Sequence, residues 1–143
     1  MKREDLFRQW INAEVAEGLT RKISVPADVL PNVRKWAGKK QEHFLLVTLN
    51  GAHEVIRVRS VTVGIVNRCM IHPGELFKPA IQDQSAAVII AHNHPSGDVT
   101  PSMEDNEVTR RMIEAGEVLG ITVVDHLVFG RRGYYSYLEH DKV

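Results

Sequence analysis

Residues 86–105, AAVIIAHNHPSGDVTPSMED, constrain this chain more than any other stretch. The apolar run 86–91 is β-branched at its centre and bounded by polar residues. It reads as a buried strand. Pro95, Gly97 and Pro101 break it into a loop. Ser102 is a natural N-cap, and Ser102 with Asp105 has capping-box spacing. Val108, Met112, Ala115 and Leu119, broadened by Ile113, recur at helical spacing over residues 104–119, and Gly120 is a good stop. A strand, a tight loop and a helix start therefore lie within about twenty residues.

That compression brings chemistry together. His92 and His94 stand at i and i+2 at a strand end, so both imidazoles point to one face and Asn93 points away. A catalytic zinc takes about three protein ligands of N, S or O type and keeps a position for water. The two histidines supply two, and Asp105 is the best candidate for the third. The competing explanation of Ser102 and Asp105 is a plain capping box, which needs no metal. Ser96 and Asp98 either line a substrate path or make the turns of the loop.

The flanking sequence alternates element types. Leu6, Trp10, Ile11 and Val15 predict an amphipathic N-terminal helix over residues 4–17, within an extension of residues 1–20, either packed on the body or used for docking or dimerisation. Residues 23–26 read as extended, and a second helix runs from Pro26 or Asp28 to Trp36, with Gly38 as its stop. Residues 42–50 read as a buried strand, Asn50-Gly51 as a hairpin turn, and residues 54–66 as further strand with Gly64 at a bend or bulge. His72-Pro73-Gly74 is a turn before a helix over 75–82, in which Pro79 predicts a kink or an early end. Residues 121–129 and 134–138 read as the last strands, joined by a turn carrying Arg131 and Arg132. Helix followed by buried strand points to an α/β layered arrangement.

With 143 residues and 43% hydrophobic content, the chain suits one domain with its own core. Lys plus Arg and Asp plus Glu both number 18, which argues against a protein that blankets nucleic acid. Arg57, Arg59, Arg131 and Arg132 could still form a local basic patch. Cys69 is the one cysteine, so no internal disulfide forms. No apolar run approaches the ~18–20 residues that span a bilayer, and the N-terminus lacks a signal-like core. The expectation is a cytoplasmic protein with no membrane partner.

Asp125-His126 looks like a dyad, but neighbours on a strand face opposite ways. One of the two is expected to face the core or to orient a metal ligand. His43, His53, His72 and His140 lack ligand spacing and read as surface or turn residues.

His92-x-His94, seven residues to Ser102 and two more to Asp105 resembles the metal motif of JAB/MPN (JAMM) metalloenzymes. The text HNHPSGDVTPSMED, with DHLVFG beyond it, is similar to the RadC-like branch, and the resemblance runs over about residues 24–138. It implies a cytidine-deaminase-like α/β fold, a mixed sheet flanked by helices, with a RadC-like MPN domain over residues 21–143. RadC proteins often carry an N-terminal helix-hairpin-helix domain, and none is legible here, so an isolated module is expected. The resemblance also implies one zinc ion on His92, His94 and Asp105, and a glutamate from an earlier strand that deprotonates the bound water. Glu42 is favoured for that role over Glu75, and Ser102 would stabilise the oxyanion. The implied activity is metal-assisted hydrolysis of a peptide or isopeptide bond in an unidentified peptide or protein substrate. The alternative is an accessory module that binds DNA or a DNA-repair partner through a structural or vestigial metal site. A non-catalytic scaffold is disfavoured by the full ligand set, and a homodimer remains an open expectation.

Overall fold

The structure is a computed structural model that describes residues 22–64 and 71–143. The helix expected over residues 4–17, Cys69 and the end of the strand expected over 54–66 lie outside the described residues.

Five strands form one mixed sheet: β1 (His43–Leu49), β2 (Val55–Val63), β3 (Ala87–Asn93), β4 (Thr122–Phe129) and β5 (Tyr134–Ser136). Their order is β2-β1-β3-β4-β5. β1 and β3 are antiparallel, β3 and β4 are parallel, and the two edge pairings are antiparallel. The α/β class and the mixed sheet flanked by helices are as expected.

Both faces of the sheet are covered, which explains the continuous apolar runs in β1 and β3. Leu45, Val47, Leu49, Ile89 and Phe129 face one layer with Val29 and Val33. That layer is a composite helix: a 3-10 turn at Pro26–Val29, α1 at Leu30–Val33 and a second 3-10 turn at Arg34–Trp36. Phe44, Leu46, Val88 and Ile90 face the opposite layer, α2 (Pro73–Gln82) and α3 (Met103–Leu119). Among the described residues, no helix is long and apolar enough to cross a membrane.

Several local expectations need correction. Pro79 neither ends nor shortens α2, which runs on to Gln82. A helix-interior proline costs about 3 kcal/mol. Burial of Leu76 and Phe77 on the same helix returns about 1.5–3 kcal/mol each. Residues 23–26 form no strand: the isolated bridge pairs Lys22 with Glu54, Ile23 N–H donates to the His53 carbonyl at 2.8 Å, and Pro26 already opens the composite helix. Gly64 makes the expected bend just beyond β2, with φ +67°, while the register shifts of the β1–β2 hairpin fall between Phe44 and Leu45 and between Thr48 and Leu49. The final strand is shorter than expected, because Leu138 begins a 3-10 turn.

The buried stripe of α3 is also rotated from the expected one. It comprises Asp105, Val108, Thr109, Met112 and Gly116, and Leu119 is 48% exposed. Gly116 explains the rotation. A Cβ there would lie 2.4 Å from the carbonyl oxygen of Ile121, so the helix presses its glycine against the chain entering β4. Asp105 thereby lies on the buried side, at the end of the stripe nearest the strand tips.

Candidate metal centre

Sheet register positions the first group. His92 pairs with Phe44 on β1 and with Val128 on β4, so it belongs to the face covered by α3. Its ring is fully buried and stacks on Phe44 at 5.7 Å. His94 lies just past the end of β3. Its N–H donates to the carbonyl of Phe129 at 2.9 Å, which carries the chain one residue beyond the ladder before Pro95 turns it. Ser96 and Asp98 make that turn: the Ser96 hydroxyl accepts from Asp98 N–H, and Asp98 accepts from Thr100 N–H.

Ser102 caps α3 as expected. Its hydroxyl accepts from Asp105 N–H at 3.0 Å, and the Asp105 carboxylate accepts from Ser102 N–H at 2.8 Å. The cap leaves Asp105 facing the histidines. Its two oxygens lie 3.2 Å from His92 Nε2 and 3.3 Å from His94 Nε2. Glu42, immediately before β1, brings Oε1 to 3.6 Å from His94 Nε2 and 3.9 Å from His92 Nε2. Glu75 is an exposed residue in the first turn of α2. The structure thus gathers Glu42, His92, His94 and Asp105 around one point, with Ser102 beside it. One ligand atom each from Glu42, His92 and His94 lies within 4.8 Å of the others, a spacing that suits a metal ion.

The hydrogen bonds determine which ring nitrogens face that point. His94 Nδ1 lies 2.7 Å from the carbonyl oxygen of Asp98. A carbonyl only accepts, so Nδ1 carries the hydrogen and Nε2 of the neutral ring carries a lone pair. His92 is set by a longer chain. The Thr109 hydroxyl donates to the carbonyl of Asp105 at 2.7 Å. Its one hydrogen is used there, so towards His126 Nδ1 it accepts. His126 Nε2 is then an acceptor, and it lies 2.8 Å from His92 Nδ1. His92 must donate, and its Nε2 lone pair also faces the centre.

Two lone pairs only 3.0 Å apart therefore converge with two carboxylates. Such an arrangement repels itself unless positive charge sits among the atoms. A divalent ion with nitrogen and oxygen ligands fits that requirement, and zinc accepts this donor set. Burial pushes the Asp105 carboxyl up. Positive charge on the two rings, which they carry only when no metal takes their lone pairs, and the hydrogen bond from Ser102 N–H outweigh that and hold it well below the usual carboxylate range.

Asn93 and His126 support the cluster from behind it. Asn93 does point away from the histidines, but it is fully buried and is not idle. Its amide donates to the carbonyl of Gln41 at 3.0 Å and accepts from His43 N–H at 2.6 Å. It therefore clamps the backbone on both sides of Glu42. Asp125 and His126 separate to opposite faces as expected. His126 orients His92 and stacks on Tyr137 at 4.9 Å, whereas Asp125 accepts from Ser136 and Leu138 and ties β4 to the C-terminal turn.

His53, His72 and His140 are exposed, as expected. His43 is not a surface or turn residue: it opens β1 half-buried, paired with Val63 on β2 while its N–H donates to the Asn93 side chain. The four arginines do not form one patch. Arg57 and Arg59 sit on the β2 edge, where Asp83 binds Arg59, while Arg131 and Arg132 lie between β4 and β5 at the other edge.

Residues 23–142 match the RadC-like JAB domain. A UPF0758 protein of Methanospirillum hungatei is 50% identical over 110 residues, covering 76% of this chain and 49% of that protein. A UPF0758 protein of Rubrobacter xylanophilus is 50% identical over 119 residues, covering 82% and 52%. One of Symbiobacterium thermophilum is 52% identical over 98 residues, covering 68% and 42%. The chain spans about half the length of the curated relatives it matches. With the match running from the first core residue to the C-terminal turn, the chain belongs to the RadC-like JAB domain family.

Proposed function

We propose that this domain is a zinc-dependent metallohydrolase that cleaves a peptide or isopeptide bond. The observation that carries the reading is the convergence of the His92 and His94 Nε2 lone pairs with the Asp105 carboxylate, with Glu42 at the edge of the cluster. His92, His94 and Asp105 would hold the metal. A bound zinc ion lowers the pKa of a coordinated water toward ~7 and polarises a carbonyl.

The chain's own residues supply the rest. Glu42 is partly exposed, next to His94, where it accepts a proton from the attacking water and returns it to the departing amine. The Ser102 hydroxyl spends its lone pair on Asp105 N–H and keeps its own hydrogen for the substrate oxygen as charge develops there. One water is consumed, and a carboxylic acid and an amine are released. Burial of Asp105 and His92 keeps bulk water from the ligand side, so hydrolysis is confined to the face where His94 meets solvent.

Metal analysis of the purified chain, prepared without chelators, should give about one zinc per chain. His94→Ala and Asp105→Ala should lose it. Glu42→Gln should keep the metal and lose hydrolysis of a peptide library. Zinc-free wild-type protein would sink the reading, and a Glu42→Gln variant with undiminished hydrolysis would remove Glu42 as the base. The alternative of a DNA-binding accessory module draws no support from the separated arginines.

A further inference from the structure

A cleft leads away from the exposed edge of His94. Its nearer stretch, about 540 Å³, is lined by His94, the 95–97 loop, Lys40, Arg131 and Arg132. It shares Ala37, Gly38 and both arginines with a further stretch of about 600 Å³, which adds Arg34 and an apolar wall of Leu30, Pro31 and Tyr134. Among the described residues, no Asp or Glu lines either stretch. In a chain whose acidic and basic residues balance at 18 each, a mixed lining would be expected by default, so this concentration of one sign is informative.

The cleft is held in place relative to the metal centre. His94 N–H is bonded to the Phe129 carbonyl, and Gly130 packs on Gly97 closely enough that a Cβ would lie 3.4 Å from the Gly97 Cα. The turn carrying Arg131 and Arg132 is closed by Gly130 N–H on the carbonyl of Gly133. The Arg131 guanidinium lies over Gly38, where a Cβ would come within 2.9 Å of Nη2. Cations gathered along one cleft repel one another, and an anionic ligand relieves that repulsion.

We propose that this cleft binds an acidic segment of a peptide substrate, adjacent to the bond presented to the metal centre. The inference rests on the metallohydrolase reading above. Arginine forks pair with carboxylates in a planar two-bond geometry, and the apolar wall suits the intervening side chains. A single-stranded nucleic acid would instead need exposed aromatic platforms for its bases. Phe129 is 1% exposed and Tyr134 is half-buried within β5, so the cleft offers no such row.

The test is fluorescence anisotropy with the full chain and short labelled peptides alternating Glu and Ala, Lys and Ala, or Ser and Ala, beside a labelled oligothymidylate. The Glu peptide should bind most tightly and weaken as salt is raised. Arg131→Gln/Arg132→Gln should weaken it about tenfold or more, the loss expected for two charge-assisted hydrogen bonds. Lys78→Gln, on α2 across the sheet, should leave it unchanged. Equal binding of all three peptides, tighter binding of the oligothymidylate, or indifference to the double substitution would overturn the proposal. Zinc content measured on the same preparations separates the two ideas. Zinc without Glu-peptide binding overturns the cleft assignment alone, and Glu-peptide binding without zinc supports the cleft while overturning the metallohydrolase.

Discussion

Thr109 shows how much a single hydroxyl controls. It sits one helical turn after Asp105, donates to the Asp105 carbonyl and accepts from His126. That acceptance is what makes His126 an acceptor towards His92. Without the hydroxyl, His126 is free to take the other tautomer, and His92 with it. On the proposed zinc site, Thr109→Val, close in shape, should lower zinc affinity about 10–100-fold, the usual effect of losing a partner of a metal ligand. Thr109→Ser should retain most of it. Chelator competition reads the difference, and equal affinity in the Val variant would remove Thr109 from the relay. Neither Thr109 nor Asn93 was legible as functional. A threonine inside a helix and an asparagine between two histidines carry no local pattern that singles them out. Their roles come from partners 17 and about fifty residues away.

At the scale of elements, the site depends on how closely α3 approaches the sheet. Gly116 is the contact point, with the Ile121 carbonyl where a side chain would begin. Replacing a helix-interior glycine by alanine normally stabilises a helix by about 1 kcal/mol. Here the obstacle is backbone, which cannot rotate away, and overpacking typically costs about 1–3 kcal/mol. The clash should win, so Gly116→Ala should lower the unfolding free energy in urea. A gain in stability would show that α3 shifts freely against β4. The expected stripe through Leu119 failed for the same reason. Periodicity finds the apolar spacing of a helix, but the close approach of Gly116 to another chain segment decides which edge of that stripe is buried.

Across the whole molecule, Asp83 locks the edge of the sheet to the helical layer. Lying at the end of α2 and nearly buried, it accepts from Arg59 on β2 and from Thr48 on β1. Hydrogen bonding from Arg59 is the main reason its carboxyl lies below the ordinary value, against an opposing push from burial. A carboxyl lowered in the folded state contributes stability above the unfolded pKa of ~3.9 and loses it as pH falls through the folded value. Asp83→Asn should therefore cost about 1–3 kcal/mol at neutral pH, with the gap to wild type narrowing under acid. Urea denaturation across pH 2–7 checks this, and a constant gap would place the effect in packing rather than charge.

The amino-acid sequence by itself determined the strand–loop–helix unit of residues 86–105, because strand burial, N-capping and the His-x-His alternation are all short-range patterns. It also carried the family and the α/β class. Only the tertiary structure decided which distant groups complete the site. Glu42 reaches His94 because β1 pairs with β3 and Asn93 grips the backbone on both sides of it. His126 reaches His92 because β4 lies parallel to β3. Strand pairing and register are non-local, set by the burial of both faces of the sheet together, and no window of sequence contains them.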